Sequence, residues 1–185
     1  MTTNIKFAKV RPDAKIPSKR DEDMGFDIYA CFDDDYIEIP AHETKLIPTG
    51  IASCCSDKYG FVLRERGSTG SKGIALRAGV IDSGYRSEWF VGLTNTTNKT
   101  LYVSKISAEE LANKISNTGN TLFDAILGGA IKESVNNAII YPYSKAIAQA
   151  LLVPVPTVEV EEISYDDLKS ISSERGIGAL GSSNK

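Results

Sequence analysis

Apolar residues in this chain come in short runs separated by turn formers. The runs at 26–32, 36–39, 44–47, 60–66, 89–94, 101–103, 138–141 and 146–155 are rich in β-branched and aromatic residues. Pro, Gly, Asp or Asn stand between several of them, which predicts an all-β sandwich or barrel. The stretch 104–140 breaks that rhythm. Ser107-x-x-Glu110 is a capping-box pattern ahead of Leu111 and Ile115, and Thr121-x-x-Asp124 leads through Phe123 into Ile126, Leu127, Ala130 and Ile131. Two short amphipathic helices inserted in a β domain are expected. Gly128 and Gly129 would each cost the second helix about 1 kcal/mol relative to alanine, so it needs tertiary packing. Residues 170–185 are rich in Ser and Gly and are expected to form a flexible tail. No internal repeat or low-complexity tract interrupts the pattern, and the expectation is a single domain over 1–185.

Composition narrows the function classes. The chain has 185 residues, 42% hydrophobic and 24% charged, enough for one domain with a real core. A net charge of -3 and a pI near 5.3 argue against a nucleic-acid or anionic-membrane partner, which needs clustered Lys and Arg. The cysteines, Cys31, Cys54 and Cys55, are odd in number and lack metal spacing, and His42 is the only histidine. Neither a disulfide framework nor a structural zinc is supported. Buried thiols in a reducing compartment are expected. The most apolar stretch, 146–156, is broken by Gln149 and prolines. With no basic-then-apolar leader, a cytoplasmic protein without membrane spans is expected.

Four stretches carry candidate chemistry. AGVIDSGYRSEWF (78–90) places Asp82 and Tyr85 three residues apart at a sharp bend between apolar runs. Turn aspartates commonly just satisfy backbone donors, but a carboxylate and an aromatic face together can also hold a water and a ring. FVLRERGSTGSKGI (61–74) runs from an alternating strand into a Gly-Ser-Thr-Gly turn, where successive amides can form an anion nest beside a guanidinium or simply make an exposed turn. It is not a Walker loop, because Ser71 precedes Lys72. Asp27 alternates with Phe26 and Ile28; if buried it needs a partner, and otherwise it faces solvent. Gly176-x-Gly178-x-x-Gly181 matches the dinucleotide fingerprint in letters only, since that fingerprint needs a preceding strand, a following helix and an acid about 20 residues on, and this sequence runs only to Lys185. Arg175, the glycines and two hydroxyls there could instead close over an anion.

Taken in order, MGFDIYA (24–30), RGSTGSKG (66–73), AGVIDSGYRSE (78–88), AIAQ (146–149) and ERGIGALGSS (174–183) resemble the sequential motifs of the trimeric deoxyuridine triphosphatases. The similar stretches are about 24–103 and 144–183. The resemblance implies a jelly-roll-like β-barrel, a homotrimer with active sites between subunits, Mg²⁺, and hydrolysis of dUTP to dUMP and pyrophosphate. Carried over, Asp82 would be the general base that deprotonates a water attacking the α-phosphorus. Tyr85 would pack on the deoxyribose and exclude a 2′-hydroxyl, while the backbone of Ala78, Gly79, Val80 and Ile81 reads the uracil edge. Arg66, Ser68 and the amides of Gly67, Ser68, Thr69 and Gly70 would hold phosphate oxygens, with Gln149 near the α-phosphate. Asp27 would hold Mg²⁺ through water. Arg175, Leu180, Gly181, Ser182 and Ser183 would form a lid over base and γ-phosphate.

The chain departs from that family's pattern in places. Ala179-Leu180 stand where the tail usually has Gly-Phe, Arg66-Gly67-Ser68 where Arg-Ser is common, Lys145-Ala146 where Asp-Arg is usual, and Ser87 for a glycine. Two other readings stay open. A dCTP deaminase of the same fold would carry a glutamate ten residues after the motif aspartate, where Gly92 stands. A regulatory binding protein would act through 104–140, where some phage members of the family also carry extra segments; an enzyme that additionally binds a protein partner there combines both.

Overall fold

In the computed structural model of this chain, residues 4–116, 137–174 and 176 are described. They fall in two units, Met1–Val155 and Pro156–Lys185. No helix among the described residues is long and apolar enough to cross a membrane.

The first unit is built almost wholly of short strands, as the turn spacing predicts. They are β1 (Lys6–Lys9), β2 (Gly25–Ile28), β3 (Tyr36–Ile39), β4 (Thr44–Pro48), β5 (Ile51–Cys54) and β6 (Tyr59–Arg64). After a one-turn helix α1 (Gly67–Gly70) come β7 (Ile74–Arg77), β8 (Val80–Ile81), β9 (Phe90–Asn95) and β10 (Leu101–Ser104). Helix α2 (Ala108–Ser116) then precedes β11 (Ile139–Pro142) and β12 (Ala148–Pro154). The strands pair as β1-β5, β11-β10-β3, β2-β12-β6-β8 and β4-β9-β7. Their inner faces meet in one core that includes Ile28, Ile39, Ile47, Phe61, Trp89, Leu93, Leu101 and Ile147, each no more than 1% exposed. Phe7 and Phe61 pack edge-on against Trp89 at centroid distances of 5.7 and 5.1 Å. That contact explains β1, which the sequence pattern does not pick out: a single ring anchors a strand whose other residues face water.

The segment after β10 has a topological reason to be long. β10 and β11 pair in parallel, with Leu101 opposite Ile139 and Ser104 opposite Pro142, whereas the other strand pairs are antiparallel. A parallel pair cannot be joined by a tight turn; the chain must travel back along the sheet. Part of that crossover is α2. Its capping box forms as the sequence predicts, with the Ser107 amide donating to Glu110 Oε2 at 2.9 Å and the Glu110 amide to Ser107 Oγ at 3.2 Å. Leu111 and Ala112 bury against Tyr102, while Leu101 and Val103, which alternate with it, point into the main core. The β10 sheet is therefore covered on both faces. Lys114 pairs with Asp35, and Lys105 donates to the carbonyls of Phe32 and Asp33, fixing the start of the crossover to the loop before β3. The second expected helix, around 121–131, lies outside the described residues.

In the second unit, Ser164 caps a short helix, α3 (Tyr165–Ser170), by accepting the Asp167 amide at 3.1 Å. Val158, Val160, Leu168 and Ile171 are exposed.

The cysteines are free thiols, but only Cys31 is buried; Cys54 and Cys55 are half-buried at the end of β5. Burial, together with a hydrogen bond to Asp13, pushes the Cys31 thiol up to about 11.

Candidate active site

Sheet register brings together residues far apart in sequence. Asp27 of β2 lies directly opposite Gln149 of β12, and Gln149 lies opposite Arg64 of β6. Residues opposed in register share a face of the sheet, so these three side chains stand in one row. The row continues beyond β6, where the Leu63 amide donates to Gly79 O at 2.7 Å and Val62 pairs with Val80. At a strand spacing of about 4.8 Å, four neighbouring chains span roughly 14 Å. Four of the sequence motifs, around Asp27, Arg66, Gly79 and Gln149, are thus neighbours on one sheet.

The backbone leading into β8 is strained, and the bend that follows it is strapped. Ala78 has φ 59°, a left-handed backbone in a residue with a side chain, which costs about 1–2 kcal/mol. Gly79 follows at φ 106°, where an added Cβ would meet both Cβ and O of Leu63 at 3.1 Å. These two residues bring the backbone hard against β6 before Val80, whose side chain is 73% exposed, and Ile81, which is buried. Asp82 is exposed, and its carbonyl accepts the Tyr85 amide at 3.1 Å, closing a turn. Tyr85 is 40% exposed, and its hydroxyl donates to Glu88 O at 3.0 Å, so the ring lies back along its own loop. Arg86 donates to the carbonyls of Ser83, Tyr85 and Ser53. Glu88 Oε1 accepts the Gly50 amide at 2.7 Å. The bend is thereby tied to β5 and the turn before it.

The turn after β6 holds Arg66, Gly67, Ser68, Thr69 and Gly70. Thr69 is fully buried; its hydroxyl accepts the Arg66 amide and donates to Arg66 O, both at 3.0 Å. The amides of Thr69 and Gly70 also donate to Arg66 O. Of the amides expected to face an anion, these two are used within the turn, leaving those of Gly67 and Ser68 with no internal acceptor among the described residues. An added Cβ at Gly67 would meet nothing within 4 Å, so the backbone there lies open.

Arg66 and Asp27 form a two-point ion pair, Nε to Oδ1 at 3.0 Å and Nη2 to Oδ2 at 3.3 Å, with each side chain about a third exposed. Gln149 is oriented by donating from Nε2 to Glu65 O at 2.8 Å. Two contributors escape motif reading. Arg64 joins the row only through strand register. Glu65 accepts the Leu76 amide at 2.9 Å, bracing β6 against β7, and that bond holds its carboxyl below the usual range. The alternation in FVLRER puts Arg64 on one face with Arg66; nothing in the sequence points to the Glu65–Leu76 bond. Arg175, Leu180, Gly181, Ser182 and Ser183 lie outside the described residues.

Comparison with known proteins follows the same stretch. The dUTPase family model matches residues 13–107, just over half of the chain and the part that carries Asp27, the Arg66 turn and the Asp82 bend. The deoxyuridine 5'-triphosphate nucleotidohydrolase of Leptospira interrogans serogroup Icterohaemorrhagiae serovar copenhageni (strain Fiocruz L1-130) is 33% identical over 91 residues, covering 47% of this chain and 62% of that protein. The Pol polyprotein of Equine infectious anemia virus (strain Wyoming) is 38% identical over 82 residues, 44% of this chain and 7% of the polyprotein. The chain therefore covers less than two thirds of either relative. Among solved structures, Staphylococcus bacteriophage 80alpha dUTPase with dUPNHPP superposes with a TM-score of 0.68 at 19% identity, covering 100% of both chains. The family match spans β2, β6 and the turns after β6 and β8, with β12 and Gln149 lying beyond it, and the likeness to the phage structure bears on the fold. On the family match over half of its length, the chain belongs to the dUTPase family.

Proposed function

We propose that this chain hydrolyses dUTP to dUMP and pyrophosphate, acting as a homotrimer. The observation that carries the reading is the row of Asp27, Gln149 and Arg64 leading to the strained Ala78–Gly79 backbone, with Asp82 and Tyr85 just beyond. It offers a guanidinium, a side-chain amide and a backbone edge on one sheet, with a carboxylate and an aromatic ring in the loop that follows. Those groups suit a triphosphate, a sugar and a base.

In this reading Asp82 takes the proton from a water that attacks the α-phosphorus, forming a new P–O bond as the bond to the β-phosphate bridging oxygen breaks and pyrophosphate leaves. Tyr85 lies against the deoxyribose, and the backbone of Ala78 to Ile81 pairs with the uracil edge. Arg66, Ser68 and the open amides of Gly67 and Ser68 bind phosphate oxygens, with Gln149 at the α-phosphate. Thr69 and Gly70 complete that turn, their amides already donating to Arg66 O. Arg175, Leu180, Gly181, Ser182 and Ser183 close the site, a role resting on the tail's motif alone.

Among the described residues no group of three His, Cys, Asp or Glu side chains gathers to cage a metal. The partly exposed Asp27 carboxylate would hold Mg²⁺ through the ion's waters, and the ion would supply positive charge against the phosphates.

Position 92 gives no support to a deaminase. An added Cβ at Gly92 would lie 2.9 Å from Arg77 O, so a glutamate proton shuttle has no room there without moving β7. Binding of a regulatory protein through 104–140 finds no support in α2, whose apolar face is covered by Tyr102 and its neighbours. Pyrophosphate release measured with dUTP beside dCTP, dTTP and UTP tests the proposal. Release from dUTP alone supports it, and equal release from UTP or none from dUTP overturns it.

A further inference from the structure

We propose that Arg66 is an exchangeable latch: Asp27 holds it in the nucleotide-free protein, and the triphosphate takes it over when substrate enters. The inference rests on the dUTP reading above. Arg66 engages both oxygens of Asp27, at 3.0 and 3.3 Å. These are the same oxygens that would hold metal-bound water, so the guanidinium and the hydrated cation compete for one carboxylate.

The pair is built to part. Each side chain is about a third exposed, and an ion pair that open holds weakly. A triphosphate offers the planar guanidinium fork more negative charge than one carboxylate does. The backbone of Arg66 is pinned on both sides by Thr69, through its amide at 3.0 Å and its carbonyl at 3.0 Å, so the side chain can swing without disturbing the turn. Among the described residues no other cation forms an ion pair with Asp27. Position 146 of AIAQ is a buried alanine. Arg20, a neighbouring guanidinium, is itself forked on Asp23 at 2.9 and 2.9 Å.

A carboxylate shared in this way couples the two ligands. Nucleotide binding draws Arg66 away and leaves Asp27 to the cation; cation binding frees Arg66 for phosphate. Each then strengthens the other by the same factor. The free protein should bind the cation poorly on its own.

The experiment uses the full chain with Mn²⁺ as the probe, its binding followed by water-proton relaxation without nucleotide. Arg66→Gln should bind Mn²⁺ about fivefold more tightly than the parent, the upper end of what one exposed pair withholds. Adding Asp27→Asn to that variant should abolish the gain. Arg66→Lys, which keeps the charge but not the fork, should fall between, and it serves if the glutamine variant does not fold. Unchanged or weaker Mn²⁺ binding in both Arg66 variants overturns the latch. Binding of the non-hydrolysable analogue dUpNHpp is measured in parallel. If it binds neither protein, the dUTP reading fails, while the Mn²⁺ comparison still decides whether Arg66 and the cation compete.

Discussion

A methyl group added to Gly25 would lie 2.7 Å from Oε1 and 3.0 Å from Cβ of Gln149 on the neighbouring strand. The glycine is therefore what lets Gln149 lie flat enough to reach Glu65 O. Gly25→Ala should cost about 1–3 kcal/mol by overpacking and should displace the amide from its bond. Urea denaturation should show the loss of stability, and dUTP turnover should fall alongside it. Unchanged stability would mean that β2 and β12 can shift apart freely.

Asp82→Asn should leave the fold and nucleotide affinity nearly unchanged while slowing dUTP turnover by on the order of 10² or more, the usual worth of a positioned base. The side chain is exposed and makes no hydrogen bond or ion pair among the described residues, while the carbonyl closes the turn. Steady-state kinetics with an independent affinity measurement separates the two effects. Turnover near that of the parent would remove Asp82 from the chemistry.

Tyr85→Val should erode discrimination between dUTP and UTP, because in the proposed site the ring would stand as a wall against a 2′-hydroxyl. Tyr85→Phe is the matched control. It loses only the bond from the hydroxyl to Glu88 O and should keep most of the selectivity. The ratio of kcat/KM for the two nucleotides is the measurement, and an unchanged ratio in the valine variant would move sugar selection elsewhere.

Leu111→Ala should destabilise the protein by about 2–5 kcal/mol, since the side chain is fully buried between α2 and Tyr102. Chemical denaturation reads this directly. Replacing residues 105–137 with only a few residues of linker should fail for a separate reason, as β11 must run parallel to β10 and so must start again at its far end. A stable, active protein with such a short linker would show that this pairing is dispensable.

The Glu65 carboxyl is held below its ordinary range chiefly by the Leu76 amide, so its charged form is favoured by folding. Its contribution is fully present above the unfolded glutamate pKa of about 4.3 and is lost as pH falls through the depressed folded value. Glu65→Gln can still accept the amide but cannot titrate. Urea midpoints taken between pH 7 and pH 3 should fall less steeply for that variant than for the parent.

Much of the fold was legible because turn residues punctuate strands locally. The runs around Phe26, Tyr36, Phe61, Leu93 and Leu151 all became strands, and the Ser107–Glu110 pair capped a helix where its spacing said it would. Strands β1 and β5 were not legible. KFAK has one ring facing the core, and IASC is made mostly of small residues; each is a strand only because the other lies beside it and Phe7 reaches Trp89. The parallel pairing of β10 with β11 was equally hidden, since neither strand's composition reveals its partner's direction.

For the site, the residue types and their order along the chain were set by sequence alone: a bend with Asp82 and Tyr85, a glycine turn after Arg66, an acid at 27 and an amide at 149. Tertiary structure decided which of their atoms are left for a ligand. Pairing of β2, β12 and β6 put Asp27, Gln149 and Arg64 in one row; the buried Thr69 hydroxyl and the Thr69 and Gly70 amides were spent inside their own turn. It also set Arg66 on Asp27, residues 39 apart in sequence. Hydrogen-bond satisfaction and strand register are long-range properties, fixed only when distant strands meet. A local pattern can therefore name the groups of this site without telling which of them remain free to act.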